Sequence, residues 1–279
     1  MATPEVLIRR QTLARRIVYL VVAAAVITPY IHPLPIKFKP SPWAKKLYDR
    51  IETLKPGSAV LFSFDYDPSA MAELYPMSRC LLRHCFARGL HPIVMTHWPN
   101  GVGLCKQLVE ETADEAGKQL GTHCVFLGYK PGWSDLILNM GESLQGAFDK
   151  DYYGKPTEGM PALEHVRSLK DVPLVVDIAA GATVEMWIAY GRDRFGFDLG
   201  AGCTAVIAPD LYPFLQSEQL CGFLGGLRGA ADYETMLKKP EDATKGMQAQ
   251  SLTHMLIIVL IIGANVHFFL RAKPKTDEG

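Results

Sequence analysis

Two long apolar segments near the ends of the chain constrain its fold more than any other feature. Residues 17–36 follow four arginines, and residues 252–270 precede Arg271, Lys273 and Lys275. Each segment has about the 20 residues that a helix needs to cross a hydrocarbon core of ~30 Å. The sequence therefore predicts two transmembrane helices that hold the chain to a lipid bilayer and frame one soluble block.

The membrane topology follows from the even number of spans, which places both termini on one side. A cleaved signal peptide is the alternative for the first segment, but no clean small-x-small site precedes the proline cluster, so an uncleaved anchor is preferred. The basic residues after the first span are as dense as the arginines before it, namely Lys37, Lys39, Lys45, Lys46 and Arg50. Long loops translocate largely regardless of their charge, which discounts this second cluster in part. We expect the basic terminus 1–16 and the tail 271–279 to be cytoplasmic, and the domain between the spans to be extracytoplasmic.

Short apolar segments alternate with helical segments through residues 57–238, the predicted soluble domain. The predicted strands are 58–64, 91–96, 123–127, 173–178 and 203–208. The predicted helices are 77–88, 104–120, 135–148 and 184–194, with one or two more in 211–237. Strands separated by helical crossovers form parallel sheets covered on both faces. This order predicts an α/β fold, a five-stranded parallel Rossmann-like or flavodoxin-like sandwich.

Three further segments complete the predicted organisation. Residues 37–56 read as a linker with an amphipathic helix, and residues 239–251 as a second linker. Residues 149–172 are rich in Tyr, Gly, Pro and charge and are too long for an ordinary connection, which predicts a lid or a partner-binding insert. Its Tyr152 and Tyr153, with Trp133, are the predicted interface to other subunits.

Polar residues follow the predicted strands at the points where these end. In an open parallel sheet, ligands sit outside the carboxyl ends of the strands, so these side chains predict a binding crevice. Any parallel sheet also turns polar there, so the pattern gives a location and not a reaction. The predicted crevice residues are Asp65, Asp67, Thr96, His97, Lys130, Asp177 and Asp210.

The stretch VLFSFDYD, followed about thirty residues later by PIVMT, resembles the first two motifs of the haloacid dehalogenase-like hydrolases. The resemblance implies that Asp65 is a nucleophile, Asp67 a general acid and base, and Thr96 a phosphate contact. It also implies a magnesium ion, with Asp65, Asp67 and Asp177 as ligands. Pro68, and a fourth strand that offers Asp177 alone, depart from the family pattern.

Composition narrows the possible functions. Lys and Arg number 29, as do Asp and Glu, which argues against nucleic acid as a partner. The six cysteines are dispersed without zinc spacing and read as core residues, although a disulfide from Cys105 or Cys124 stays open. We expect a non-enzymatic subunit or scaffold of a larger membrane assembly, without a cofactor and in contact with copies of itself or with related subunits. A membrane-tethered magnesium-dependent phosphohydrolase and a small-ligand sensor are the alternatives.

Overall fold

The computed structural model describes residues 4–34 and 39–271. These fall into two compact units, one of residues 4–34 with 245–271 and the other of residues 39–244. The predicted tail after residue 271 and the last residues of the first predicted span lie outside the described part of the chain.

The first unit consists mainly of two helices, α1 (Pro4–Ile31) and α11, the last helix of the chain (Asp242–Arg271). By length and composition, Gln11–Ile31 and Asp242–Leu270 are both long and apolar enough to span a membrane. The amide of Gln248 pairs with the backbone N–H and carbonyl of Leu34 at 2.9 and 2.8 Å. Two apolar helices were thus predicted correctly, whereas most of the predicted linker 239–251 is helical; the orientation stays a prediction.

The second unit is built on one parallel sheet of six strands in the order β3-β2-β1-β4-β5-β6. This is the strand order of a Rossmann fold, not of a flavodoxin-like fold. The strands are β1 (Ala59–Asp65), β2 (His91–Thr96), β3 (Val125–Tyr129), β4 (Leu174–Ala179), β5 (Asp198–Cys203) and β6 (Gly222–Gly225).

Helices and short helical turns connect the strands and cover the sheet. The helices of this unit are α2 (Pro42–Glu52), α3 (Met71–Ala87), α4 (Val102–Glu115), α5 (Trp133–Glu142), α6 (Leu144–Ala147), α7 (Thr183–Trp187), α8 (Asp193–Phe195), α9 (Ala208–Gln216) and α10 (Gly226–Met236). A π-helical turn, Ile188–Arg192, joins α7 to α8, and 3-10 turns lie at Pro99–Gly101, Pro161–Leu163 and Leu169–Asp171.

The five-strand prediction was wrong at the C-terminal end of the domain. The fifth strand, β5, ends where residues 203–208 were predicted to begin it, and β6 lies inside the segment that was predicted to be helical. Glycine explains both errors, because a Cβ on Gly222 would lie 2.4 Å from the backbone N of Leu47, and one on Gly200 would lie 2.6 Å from the Leu47 side chain. Both strands carry glycine where α2 packs against the sheet, and this composition lowers their predicted β-propensity.

The insert at residues 149–172 is irregular but attached to the domain. Tyr152 donates its N–H to the carbonyl of Phe126 at 2.9 Å, and Asp151 accepts two backbone N–H groups of the same segment. Its apolar side chains, Met160, Ala162, Leu163, Val166 and Leu169, are buried in the main core. Most of the insert therefore belongs to the body of the domain.

The cysteines follow the core prediction. All six are free, and five of them are buried. Burial raises the pKa of the Cys203 thiol to about 12, so this group stays protonated at neutral pH. A disulfide from Cys105 or Cys124 is not formed in this structure.

Candidate functional site

The candidate site lies at the topological switch point, between the carboxyl ends of β1 and β4. From β1 the chain runs outward to β2 and β3, and from β4 it runs the other way to β5 and β6, which opens a crevice between the two strands. Asp65 ends β1, and Asp177 pairs in register with Ser63. Side chains two apart on a strand share a face, so both carboxyl groups project from the same side of the sheet.

Asp65 is fully buried, and both of its carboxylate oxygens are occupied. Oδ2 accepts from the Ser63 hydroxyl at 2.6 Å, while Oδ1 accepts from the backbone N–H of His97 at 2.5 Å and from the Thr96 hydroxyl at 3.3 Å. The carboxylate therefore ties the end of β1 to the end of β2. Of the predicted residues, the structure brings Asp65, Thr96 and His97 together as expected.

Asp177 is fully buried as well, but neither of its oxygens has a hydrogen-bond partner among the described residues. Thr183 and Asp65 are close enough to influence the pKa of Asp177, although neither side chain forms a hydrogen bond with it. Burial first, and then the charge of Asp65, raise the pKa of Asp177 well above its ordinary value. The site therefore holds a carboxyl group that favours its protonated form beside one that is hydrogen-bonded as an acceptor.

Other polar atoms around this pair are also buried without partners. In the described part of the chain, ten buried side-chain polar atoms lack a hydrogen bond, and eight of them lie here. They belong to His97, Trp98, Asp177, Thr183, Glu185 and Trp187. Each such group costs about 1–3 kcal/mol, and folded proteins keep few of them. Their concentration at the switch point makes this edge of the sheet the candidate site.

Tryptophans enclose the unpartnered groups. The His97 ring lies 5.9 Å from that of Trp187 and 6.4 Å from that of Trp133, between ring centroids. Burial lowers the pKa of His97, which favours its neutral form. Trp98 follows β2, yet its ring covers Gly181 after β4, where an added Cβ would lie 3.1 Å from Cζ2. The Trp98 side chain thus reaches from the end of β2 to the loop after β4.

Other predicted residues lie apart from this cluster. Asp67 accepts the N–H and hydroxyl of Ser69 at 2.9 and 2.6 Å, which lowers its pKa and forms a turn that leads towards α3. The Lys130 ammonium donates to the carbonyl of Ala147 and lies over the Phe148 ring. Asp210 lies in the first turn of α9. The sequence interpretation missed Ser63, Trp98, Thr183, Glu185 and Trp187, of which Thr183 and Glu185 follow β4 just as Asp67 follows β1.

Two open cavities of the domain lie elsewhere. One of about 560 Å³ is at the opposite, amino edge of the sheet, where it is lined by Ala59, His91 and Pro173, and one of about 1030 Å³ lies along the end of α5 and the insert. In the described residues, no three His, Cys, Asp or Glu side chains form a group that could hold a metal ion. The magnesium alternative thus gains no support from the geometry and stays a prediction.

Comparisons with known proteins add little to this description. No family model and no curated protein matches the chain. Among solved structures it is similar to the C-terminal domain of a group 1 family glycosyl transferase (LpcC) from Francisella tularensis, with 11% identity over 73% of this chain and 97% of that chain, at a TM-score of 0.29. The fold assignment rests on the strand order instead: the chain has a six-stranded parallel Rossmann-like sheet and two apolar helices.

Proposed function

We propose that this protein is a non-enzymatic binding domain, held at a membrane by two apolar helices, that takes a small polar ligand at the carboxyl edge of its sheet. The observation that carries the proposal is the buried, unpartnered carboxyl group of Asp177 beside Asp65. A buried carboxyl group without hydrogen-bond partners destabilises the fold, and such groups are characteristic of functional sites. A bound ligand would supply the hydrogen bonds that Asp177 lacks among the described residues.

Binding without turnover is favoured over phosphate hydrolysis by the state of the two acids in the motif. A nucleophilic Asp65 needs a free oxygen that faces a substrate, whereas both of its oxygens accept hydrogen bonds from Ser63, Thr96 and His97. Asp67, the implied acid and base, is engaged with Ser69. The hydrolase alternative remains testable, because Asp65→Asn would abolish any magnesium-dependent phosphatase activity.

A thermal-shift screen of the full chain in mild detergent tests the proposal. A ligand that binds only the folded state raises the Tm by mass action. We expect hits from a library of small polar metabolites to stabilise the wild type and Asp114→Asn, a control at an exposed position on α4. The same compounds should not stabilise Asp177→Asn. A library without hits, or hits that stabilise Asp177→Asn equally, would overturn the proposal.

The role in a membrane assembly is compatible with ligand binding. Partly exposed aromatic side chains at Trp133, Tyr152 and Tyr153 support an interface with copies of the chain or related subunits. Tyr153 also donates its hydroxyl to Glu110 at 2.8 Å, which holds its ring in place. A preorganised aromatic surface loses little side-chain entropy on association.

A further inference from the structure

We infer that the ligand of this site is a small organic ammonium compound that also carries a neutral oxygen acceptor. This inference rests on the proposed function and specifies its ligand class.

The charged groups that influence Asp177 are acidic. Burial, and then the negative charges of Asp65 and Glu185, raise the pKa of Asp177. Burial also raises the pKa of Cys203 at the end of β5, and four acidic residues add to this effect, namely Glu73, Glu185, Asp177 and Asp210. Acidic clusters occur on many surfaces, but here Asp177, Thr183 and Trp187 are also at least nine-tenths buried and carry unpartnered polar atoms. A ligand with a positive charge would neutralise the excess of acid.

The basic side chains that follow the strands are each held by another partner. Lys106, on α4 after β2, pairs with Glu110 at 2.7 Å. Lys130, after β3, donates to Ala147. Arg228, after β6, pairs with Asp232 at 2.7 Å and donates to the carbonyl of Lys39 at 2.9 Å. Since these cations are engaged elsewhere, a phosphate or carboxylate ligand would face uncompensated acid at this edge.

The walls of the site suit an ammonium group. Trp98, Trp133 and Trp187 border the His97 ring and the crevice, and tryptophan provides the best aromatic face for a cation. The indole N–H groups of Trp98 and Trp187 are donors that find no acceptor among the described residues. A cation alone cannot satisfy them, so the ligand must also bring an oxygen acceptor, and a neutral hydroxyl or carbonyl fits the acidic surroundings.

Proton release should accompany binding. Asp177 favours its protonated form in the free protein, and a bound ammonium group stabilises its carboxylate. The titratable groups that influence Asp177 are Asp65 from β1 and Glu185 from α7, and Asp177 in turn influences Cys203 at the end of β5. We therefore expect the affinity to increase as the pH rises through the titration of Asp177, with up to one proton released per ligand bound.

Three probes of nearly equal size test which charge the ligand carries: 2-aminoethanol is a cation, ethane-1,2-diol is neutral and glycolate is an anion. Binding of each is measured at constant ionic strength. The experiment uses the full chain in mild detergent with Trp43→Phe, which leaves the three tryptophans of the site as the only ones in the chain. We expect 2-aminoethanol to change the fluorescence and to bind at least tenfold more tightly than the other two. Asp177→Asn should weaken its binding at least tenfold, and Asp114→Asn should not.

The possible outcomes distinguish a failure of the ammonium inference from a failure of the proposed binding function. If the diol or glycolate binds in an Asp177-dependent way and the amine does not, the ammonium inference fails and the binding function stands. If amine binding is unchanged in Asp177→Asn, the inference is overturned. If no probe binds, the ammonium inference fails, and if the metabolite library also gives no hit, the proposed function fails with it. Binding of free 2-aminoethanol that depends on Asp177 supports the ammonium class.

Discussion

Asp232 and Glu234, two positions apart on α10, hold the chain at the two points where it enters and leaves the α/β domain. Asp232 accepts the backbone N–H of Ser41, the N-cap of α2, at 2.8 Å. Glu234 accepts the backbone N–H groups of Glu241, Ala243 and Thr244 at 2.8 to 3.0 Å, and the Thr244 hydroxyl at 2.6 Å. One short helix therefore makes both of these connections within the α/β domain.

Glu234→Gln tests the strength of the second connection. A carboxylate at the N-terminus of α11 satisfies donors that have no partner within the helix and interacts favourably with the helix dipole. The amide keeps one acceptor oxygen and adds buried donors, so we expect a loss of about 1–3 kcal/mol and a Tm lower by roughly 2–8 °C. Thermal unfolding of the full chain in detergent measures the change in Tm. Glu142→Gln, at an exposed site, should change stability by less than about 0.5 kcal/mol; equal effects of the two variants would contradict the capping role.

Asp177→Asn should change how stability depends on pH. Burial, and then Asp65, keep the proton on Asp177 to a higher pH than in the unfolded chain, whose aspartates titrate near pH ~4. Above that pH the folded state binds more protons than the unfolded state, so the contribution of Asp177 to stability falls as the pH rises through its folded pKa. An asparagine amide does not titrate, so the variant should not lose stability in this way as the pH rises. We expect its free energy of unfolding to exceed that of wild type by about 1–3 kcal/mol at pH ~7 and by little at pH ~4.

Urea unfolding across this pH range checks the Asp177 prediction, with Asp114→Asn as the control. A difference between variant and wild type that stays constant with pH would contradict the raised pKa. A gain in stability together with a loss of ligand binding is the trade-off expected of a residue that is retained for function.

The location of the site was predictable from the sequence, whereas its full composition was not. Asp65, Thr96, His97 and Asp177 were found because each lies at or near the end of a short apolar segment, and strand ends converge in a parallel sheet. Trp98 and Trp187 look like ordinary core residues in the sequence. Only the crossing of Trp98 over Gly181 reveals its position, and that depends on how two loops pack together.

Strand β6 was not predicted from the sequence for a related reason. Four residues that begin and end with glycine have low β-propensity, and the adjoining glycines resemble a helix break. What makes the segment a strand is pairing with β5 beneath α2, a tertiary contact between residues far apart in sequence. Lys130 was misplaced for a similar reason, because its long side chain reaches back to Ala147.

Gly222→Ala and Gly103→Ala form a matched test of that packing. A Cβ at position 222 would lie 2.4 Å from the Leu47 backbone, which cannot move without displacing α2, and we expect a loss of about 2–3 kcal/mol or more. Gly103 lies on α4 with nothing within 4 Å of the added atom, and alanine there should gain up to about 1 kcal/mol. Unfolding in urea measures both; similar effects of the two variants would contradict direct contact between α2 and β6.

The assembly prediction is tested by the mass of the full chain extracted in mild detergent, with co-purifying chains identified by mass spectrometry. We expect a defined complex larger than one chain of 30.9 kDa. Tyr153 and Tyr212 are exposed by 37% and 48%, but only Tyr153 belongs to the predicted interface. Tyr153→Ser should therefore lower the mass of the complex, because it removes aromatic contact area, and Tyr212→Ser should leave it unchanged. A wild-type protein that runs as a single chain would end the assembly proposal and leave the binding domain to act alone; equal losses in both variants would move the interface away from the insert.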